Sequence, residues 1–335
     1  MRTLRWTLLT ILVLLGIGWL VHRFQQPRIE TGSALLLRLE GELVEAPDAP
    51  LFAQVLGFQQ RSLLSALGEL RKAERDERLA HVVLEIGSLD VGWAKAQELR
   101  DAIRDLREAG RQPVALLGVG GFGANLEYYV ASAAEKVYLL PGSGPPLIGL
   151  AEEHLFLGGV WERYGVDVTV GKAGIYKGAA DQLTATEMSV PYREQAESLL
   201  DSIDSQFVSG IAEARGLTED AVRKALEVAS SKPKTLQALG LVDGERSREE
   251  LVEALGRPPV VKGEDYAAVD PAAVGFEPVT SFALVYASGA VVQGEGRTTR
   301  TGQPVAAAET VKQALAAAAE DGAVAAVVLR VDSPG

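Results

Sequence analysis

The sequence predicts an α/β fold with largely parallel strands, and two observations carry that expectation. Short apolar runs at Ala34–Val44, Val82–Ile86, Pro113–Leu117 and Lys136–Leu140 alternate with stretches whose apolar residues recur three and four apart, the mark of strands joined by helical crossovers. Two stretches, Ser62–Ile86 and Ala307–Val331, also match each other at an offset of 245 residues. They share Leu70/Leu315, Ala73/Ala318, Asp76/Asp321, Ala80/Ala325 and the run Val82-Val83-Leu84/Val327-Val328-Leu329. Upstream, LEGELV around Gly41 pairs with ASGAVV around Gly289 at an offset of 248. A period this long means a duplicated domain, because solenoid units run to about 20–50 residues.

The elements follow in order. Leu4–Val21 is apolar apart from Arg5 and two threonines, with Trp6 and Trp19 near its ends and basic residues on both flanks. Its length is near the minimum for a bilayer span, and no small-residue cleavage site follows. Residues 1–28 therefore read as an uncleaved membrane anchor, followed by a short polar linker. Ala34–Val44 is a strand with Gly41 at a kink or turn. Leu63, Leu64, Leu67 and Leu70 mark a helix, Val82–Ile86 a strand, and Ala94–Ala109 a helix stopped by Gly110. Then come the strand Pro113–Leu117, the helix Leu126–Ala133 and the strand Lys136–Leu140. After a Gly/Pro loop at 142–149, Leu155–Tyr164 is a helix, Val166–Val170 a strand, and Pro191–Ala214 and Glu219–Ala229 helices. The first domain spans 34–256. Residues 257–280, with Pro258, Pro259, Pro271 and Pro278 and little periodicity, read as an interdomain linker. A second copy begins at 281 and runs to 335. With a strand immediately before Ser333-Pro334-Gly335, the chain reads as the front part of a longer protein.

Composition removes several function classes. The net charge is −12, from 33 basic and 45 acidic residues, and there is no basic stripe, which argues against nucleic-acid binding. No cysteine is present, so disulfides, a thiol nucleophile and thiolate metal sites are out. His22, His81 and His154 lie far apart, which suits neither a zinc site nor a Ser-His-Asp triad; His81 and His154 read as strand-edge or surface residues. Gly118-Val119-Gly120-Gly121-Phe122-Gly123 fits the dinucleotide pattern G-x-G-x-x-G after a strand. The acidic residue due about 20 positions on is missing, however, where the chain reads Val137-Tyr138-Leu139-Leu140-Pro141. Close strand–helix packing explains those glycines better, and no cofactor is expected.

Lys177 lies in Gly174-Ile175-Tyr176-Lys177-Gly178-Ala179-Ala180. Small flanking residues would let its stem enter an apolar cleft, where lost solvation favours the neutral amine and makes a general base. Read by itself, a solvated loop lysine is the blander alternative.

The phrase VGKAGIYKGAADQLTATEMS resembles the lysine-bearing segment of bacterial signal peptide peptidases, the SppA family in its long, duplicated form. LRVDSPG at Leu329–Gly335 is similar to that family's strand-and-turn motif. The likeness is spread over roughly residues 34–335. It implies a ClpP/crotonase-type fold of repeated β-β-α units, duplicated, behind an N-terminal transmembrane helix. It also implies a Ser/Lys dyad that hydrolyses signal peptides, in a homotetramer tethered to the bacterial inner membrane with the bulk of the chain periplasmic. The resemblance makes Lys177 the base of the first copy and leaves the serine to the second, downstream of residue 335. Asn125 of GGFGANLEYY stands where a first-copy serine would be, 52 residues before Lys177, and an amide cannot form an acyl-enzyme. Ser333 belongs to the turn before the oxyanion-hole glycines, and Gly335 matches the first of those glycines. Residues 87–92 (GSLDVG) have lost that pattern. Lys172, in the longer GKAGIYKG, is a rival to Lys177, whose Tyr-Lys-small-Ala setting follows the motif more closely.

The leading expectation is thus a serine-type peptidase, with peptide substrates and a lipid bilayer as partners. A non-catalytic pseudo-protease scaffold is the competing class. A crotonase-like acyl-CoA enzyme finds no CoA site in the sequence, and a shared fold does not assign chemistry.

Overall fold

A computed structural model of the chain describes residues 28–46, 61–120, 124–299 and 302–335. The expected anchor at Leu4–Val21 lies outside the described residues, among which no helix is long and apolar enough to cross a membrane. The chain packs as two compact units. One comprises the described residues up to Val114 together with Leu251–Gly335, the other Ala115–Glu250.

The first unit opens with β1 (Ser33–Glu42), α1 (Leu63–Arg75), β2 (Leu79–Asp90) and α2 (Trp93–Glu108). β1 and β2 are parallel, with Leu35 opposite Val82 and Leu37 opposite Leu84. Parallel neighbours need a crossover, and α1 supplies it. Ser62 starts α1 by accepting a hydrogen bond from the Ser65 amide, and Asp76 ends it. Leu63, Ala66, Leu70 and Ala73 form its buried stripe, and α1 packs on α2. Val82 to Ile86 is buried without interruption, as expected of a parallel strand covered on both faces.

The second unit holds β3 (Val114–Leu117, whose first residue belongs to the first unit), α3 (Asn125–Ala131), β4 (Lys136–Leu139), α4 (Gly158–Tyr164), α5 (Ala179–Thr184), α6 (Val190–Arg215), α7 (Glu219–Val228), α8 (Pro233–Ala238) and β5 (Gly244–Glu245). Asp243 fastens β4 to β5. It accepts hydrogen bonds from the Val137 amide at 2.9 Å, Lys136 Nζ at 3.1 Å and Arg215 Nη2 at 3.0 Å. The fully buried Tyr128 of α3 donates its hydroxyl to the Leu241 carbonyl at 2.5 Å. One expectation fails here. Residues 166–170 form no strand; Val166, Val168 and Val170 are exposed. Alternation marks a strand only where a neighbouring strand takes up its backbone groups, and among the described residues this segment pairs with none.

After α9 (Arg248–Ala254), the residues expected as a linker turn out to be structural. β6 (Val260–Lys262) pairs in parallel with β1, Ala34 opposite Val260. α10 (Gly263–Tyr266) follows, then a 3-10 turn at Pro271–Val274. Lys72 Nζ donates to the carbonyls of Tyr266 at 3.2 Å, Ala267 at 2.9 Å and Val269 at 3.1 Å, so all three ammonium protons close the end of α10. These elements are three and four residues long, too short to leave a period in the sequence.

The unit closes with β7 (Ser281–Ser288), β8 (Ala290–Val292), β9 (Val305–Ala307), α11 (Ala308–Glu320) and β10 (Val324–Asp332). β7 and β10 are parallel, and their register repeats that of β1 and β2. Leu35 faces Val82 as Ala283 faces Val327, and Leu39 faces Ile86 as Ala287 faces Val331. A register shift passes over Ala80 in one ladder and Ala325 in the other. α11 has the bounds of α1 moved by 245 residues, and Gly41 (φ +72°) and Gly289 (φ +83°) hold the same left-handed turn. At Gly289 a Cβ would fall 1.9 Å from the Pro304 carbonyl oxygen, so no side chain fits there.

Candidate active site

The residues that the sequence singles out fall in two places of the second unit and one of the first. β3 leads through Gly118 and Gly120 towards α3; Gly121, Phe122 and Gly123 lie outside the described residues. A Cβ on Gly118 would meet Leu140 Cδ1 at 2.4 Å, and the Leu140 amide donates to the Leu117 carbonyl at 2.8 Å. Close packing accounts for this glycine, as the sequence suggests.

Asn125 opens α3 and is fully engaged. Its Oδ1 accepts from the Ile148 amide at 3.0 Å, and its Nδ2 donates to the Gly149 carbonyl. The side chain standing where a first-copy serine would be is therefore a clasp on the 148–149 loop.

The lysine-bearing segment follows α4. Gly165, left-handed at φ +64°, ends that helix, and residues 166–177 run exposed to the start of α5. The two candidate lysines differ sharply. Lys172 Nζ lies 2.5 Å from Asp181 Oδ1, while Ser189 Oγ donates to Asp181 Oδ2, also at 2.5 Å. The Lys172 ammonium first, then the Ser189 hydroxyl, hold the Asp181 carboxyl below its usual range. Lys172 is thus committed to Asp181, its Nζ turned onto that carboxylate. Lys177 is exposed, and its ammonium has no ion pair among the described residues; its backbone amide makes a long bond, 3.4 Å, to the Gly174 carbonyl. The apolar cleft expected around its stem is not formed by the described residues of this unit.

Behind Lys177 the structure is tightly fixed. A Cβ on Gly178 would come within 2.0 Å of the Tyr192 ring, so the chain lies directly against that ring. The Tyr192 hydroxyl lies 2.9 Å from His154 Nδ1 and accepts from Gln182 Nε2 at 2.9 Å. His154 stacks edge-on to Tyr192 with centroids 5.0 Å apart, and its Nε2 is 2.9 Å from Glu152 Oε1. This histidine belongs to the packing of the lysine segment. Sequence reasoning missed Asp181, Ser189 and Tyr192, because nothing in their spacing announces that they converge.

In the first unit, the Gly335 amide donates to Ser333 Oγ at 3.1 Å and its carbonyl accepts from the Val291 amide at 3.0 Å. The turn is formed, with the amide of the proposed oxyanion glycine turned onto Ser333. Among the described residues no group of three or more His, Cys, Asp or Glu side chains could hold a metal ion.

Comparison with known proteins assigns the class. Residues 108–257, which hold Asn125 and both lysines, match the model of peptidase family S49. The chain is 28% identical over 319 residues to the chloroplastic serine protease SPPA of Arabidopsis thaliana, which covers 92% of this chain and 46% of that protein. It is 24% identical over 329 residues to Protease 4 of Haemophilus influenzae, covering 90% and 52%. The chain is similar to these SppA and Protease 4 proteins, and it spans about half the length of the curated relatives it matches. Among solved structures it is similar to a crotonase-type enoyl-CoA hydratase/isomerase of Legionella pneumophila, with a TM-score of 0.31 and 13% identity, covering 63% of this chain and 68% of that one. That likeness is too distant to speak to function.

Proposed function

We propose that this chain contributes the base-bearing half of a membrane-anchored serine endopeptidase that degrades signal peptides after their release, with Lys177 as general base. The observation that carries the reading is the contrast between the lysines: Lys172 is committed to Asp181, whereas the Lys177 amine has no partner among the described residues. The nucleophilic serine comes from the second repeat, downstream of the turn at Ser333–Gly335. In the assembled site the neutral Lys177 amine takes the serine proton as Oγ attacks the scissile carbonyl. The resulting ammonium returns that proton to the leaving amine, and water then hydrolyses the acyl ester. The Gly335 amide, released from Ser333, donates to the tetrahedral oxyanion. The matching ladders of β1–β2 and β7–β10 support a duplicated ClpP/crotonase-like domain. Leu4–Val21 tethers the molecule to the inner membrane with its body periplasmic, and the assembly is a homotetramer.

In the full-length protein, Lys177→Ala should lower turnover of a signal-peptide substrate by about 10²–10⁴-fold. Lys177→Arg should not restore it, because a guanidinium stays protonated. Wild-type turnover by Lys177→Ala would end the reading. A scaffold without catalysis is the second reading, favoured by the engagement of both ends of the Asn125 amide. A fluorophosphonate probe separates the two: covalent labelling of a serine in the full-length protein supports the peptidase, and its absence supports the scaffold.

A further inference from the structure

We propose that Lys172, Asp181 and Ser189 form a clasp that closes the loop carrying Lys177 and fixes where its amine is presented; they are positioning residues for that lysine. The inference rests on the peptidase reading above and extends it to side chains that make no contact with substrate. Its basis is the geometry of one carboxylate. Asp181 is buried although residues 171–177 of the loop are exposed, and each of its oxygens has its own partner. Oδ1 holds Lys172, nine residues back, and Oδ2 holds Ser189, eight residues on at the cap of α6. Charge-assisted bonds of 2.5 Å at both oxygens define the carboxylate plane, and through it the first turn of α5.

Lys177 stands two residues before α5. Between Lys172 and Asp181 the loop's other ties are local or gather at its far end. The Lys177 amide lies 3.4 Å from the Gly174 carbonyl, the Gly178 amide donates to Tyr176 at 2.9 Å and the Asp181 amide to Gly178 at 2.9 Å, while the Tyr176 hydroxyl donates to Glu194 Oε2 at 3.1 Å and Gly178 lies against the Tyr192 ring. Gly174 is in the left-handed region at φ +93°. The far side of α5 is anchored independently. The Leu157 amide donates to Gln182 at 2.8 Å and the Gly158 amide to Ala185 at 2.9 Å, and a Cβ on Gly158 would fall 2.5 Å from the Ala185 carbonyl. α5 is thus a fixed post, and the Lys172–Asp181 pair ties the entry of the loop to it. Without that tie, the entry of the loop at Lys172 loses its side-chain bond to α5, and the Lys177 amine samples a wider volume. The arrangement gives the two lysines separate tasks: one holds the loop and the other meets the serine.

The test uses the full-length protein and the variants Lys172→Met, Lys172→Arg and Asp181→Asn, with folding checked by thermal melt. Two readouts are taken, steady-state kinetics on one signal-peptide substrate and amide hydrogen exchange over residues 173–178. The clasp predicts faster exchange at the Lys177 and Gly178 amides in Lys172→Met and Asp181→Asn. It also predicts kcat lowered about tenfold or more with KM within about twofold, since misplacing a reacting group costs orders of magnitude in rate. Lys172→Arg should recover most of both, because guanidinium pairs with a carboxylate. Unchanged exchange in Lys172→Met and Asp181→Asn would overturn the clasp whatever the enzyme does. So would wild-type kcat in both, or a Lys172→Arg as impaired as Lys172→Met. Full activity of Lys177→Ala, with exchange still raised by Lys172→Met, would instead remove the catalytic reading and leave the clasp standing.

Discussion

Two β-α-β segments of the first compact unit share one local design and have opposite surroundings. In β1-α1-β2, Val82, Val83 and Leu84 are 1%, 4% and 0% exposed; their counterparts in β7-α11-β10, Val327, Val328 and Leu329, are 39%, 51% and 47% exposed. α1 buries a full stripe and α11 buries nothing. Helix bounds, ladder register, the shift over one alanine and the left-handed glycine are nonetheless the same. Propensity and turn chemistry therefore suffice for the chain path, even without the side-chain cap that Ser62 gives α1 and Ala307 cannot give α11, while the depth of the core is set by what packs on it. The means of attachment differ as well. Where β2 carries Glu85, β10 carries Arg330, which reaches Glu98 at 2.8 and 3.0 Å and also pairs with Glu45. Lys95 joins in, 2.8 Å from Asp332. The first segment is held by apolar burial, the second by ion pairs.

The contrast is tested most strongly in the strand cores. Leu84→Ala should destabilise the unit by about 2–5 kcal/mol, a buried leucine truncation that leaves a cavity. Leu329→Ala, at the equivalent register position, should cost less than about 1 kcal/mol. Denaturant unfolding of the two variants under one set of conditions decides it, and equal losses would break the comparison.

The helix-ending aspartates come next. Burial would push the Asp76 carboxyl up, but hydrogen bonds from Arg78, side chain and amide, and from the Tyr266 hydroxyl outweigh it and hold it below the usual carboxylate range. The same contact and burial push the Tyr266 phenol well up. Because the folded state depresses Asp76, its contribution is present above the unfolded value of about 3.9 and is lost as pH falls through the folded value. Asp76→Asn should cost about 1–3 kcal/mol at pH 7. It should also flatten the loss of stability below about pH 4. An acid-unfolding profile identical to wild type would remove Asp76 from the account.

Much of this was legible in the sequence, for reasons that show where legibility stops. The offset repeat, α1, α2, α6 and α7 are long enough for apolar spacing and caps to speak for themselves. β6 and α10 read as linker because three or four residues carry no period, and what fixes them is remote in the chain, β1 for β6 and Lys72 for α10. Val166–Val170 reads as a strand because alternation is present, while the want of a pairing strand among the described residues is a tertiary fact. At the site, Lys177 and Asn125 stood out by their neighbours in the chain. The commitment of Lys172 depends on Asp181 and Ser189, and the clasp of Asn125 on the 148–149 loop; both are tertiary facts.

Arg330→Met should sharpen the second half of the comparison by about 1–2 kcal/mol, the usual loss when one side of a partly buried, multiply bonded ion pair is removed. Burial of Glu45 puts the cost above that of an exposed pair. Hydrogen exchange in β7 and β10 should accelerate while β1 and β2 keep their protection. Uniform acceleration across all four strands would mean that the two segments unfold as one and that their attachments are not separable.

The smallest effect is the most discriminating. Asp321 Oδ1 accepts from the Ala323 amide at 2.9 Å, as Asp76 Oδ1 accepts from the Arg78 amide at 3.1 Å. That turn bond is what both segments share; the guanidinium and the phenol belong to Asp76 alone. Asparagine preserves the accepting oxygen and removes the charge. Asp321→Asn should therefore be neutral within about 0.5 kcal/mol and Asp321→Ala should cost about 0.5–1.5 kcal/mol, whereas at residue 76 the asparagine variant is already costly. If Asp321→Asn proves as damaging as Asp76→Asn in the same unfolding assay, the charge matters at both helix ends, and the exposed segment has a partner for Asp321 beyond its own turn.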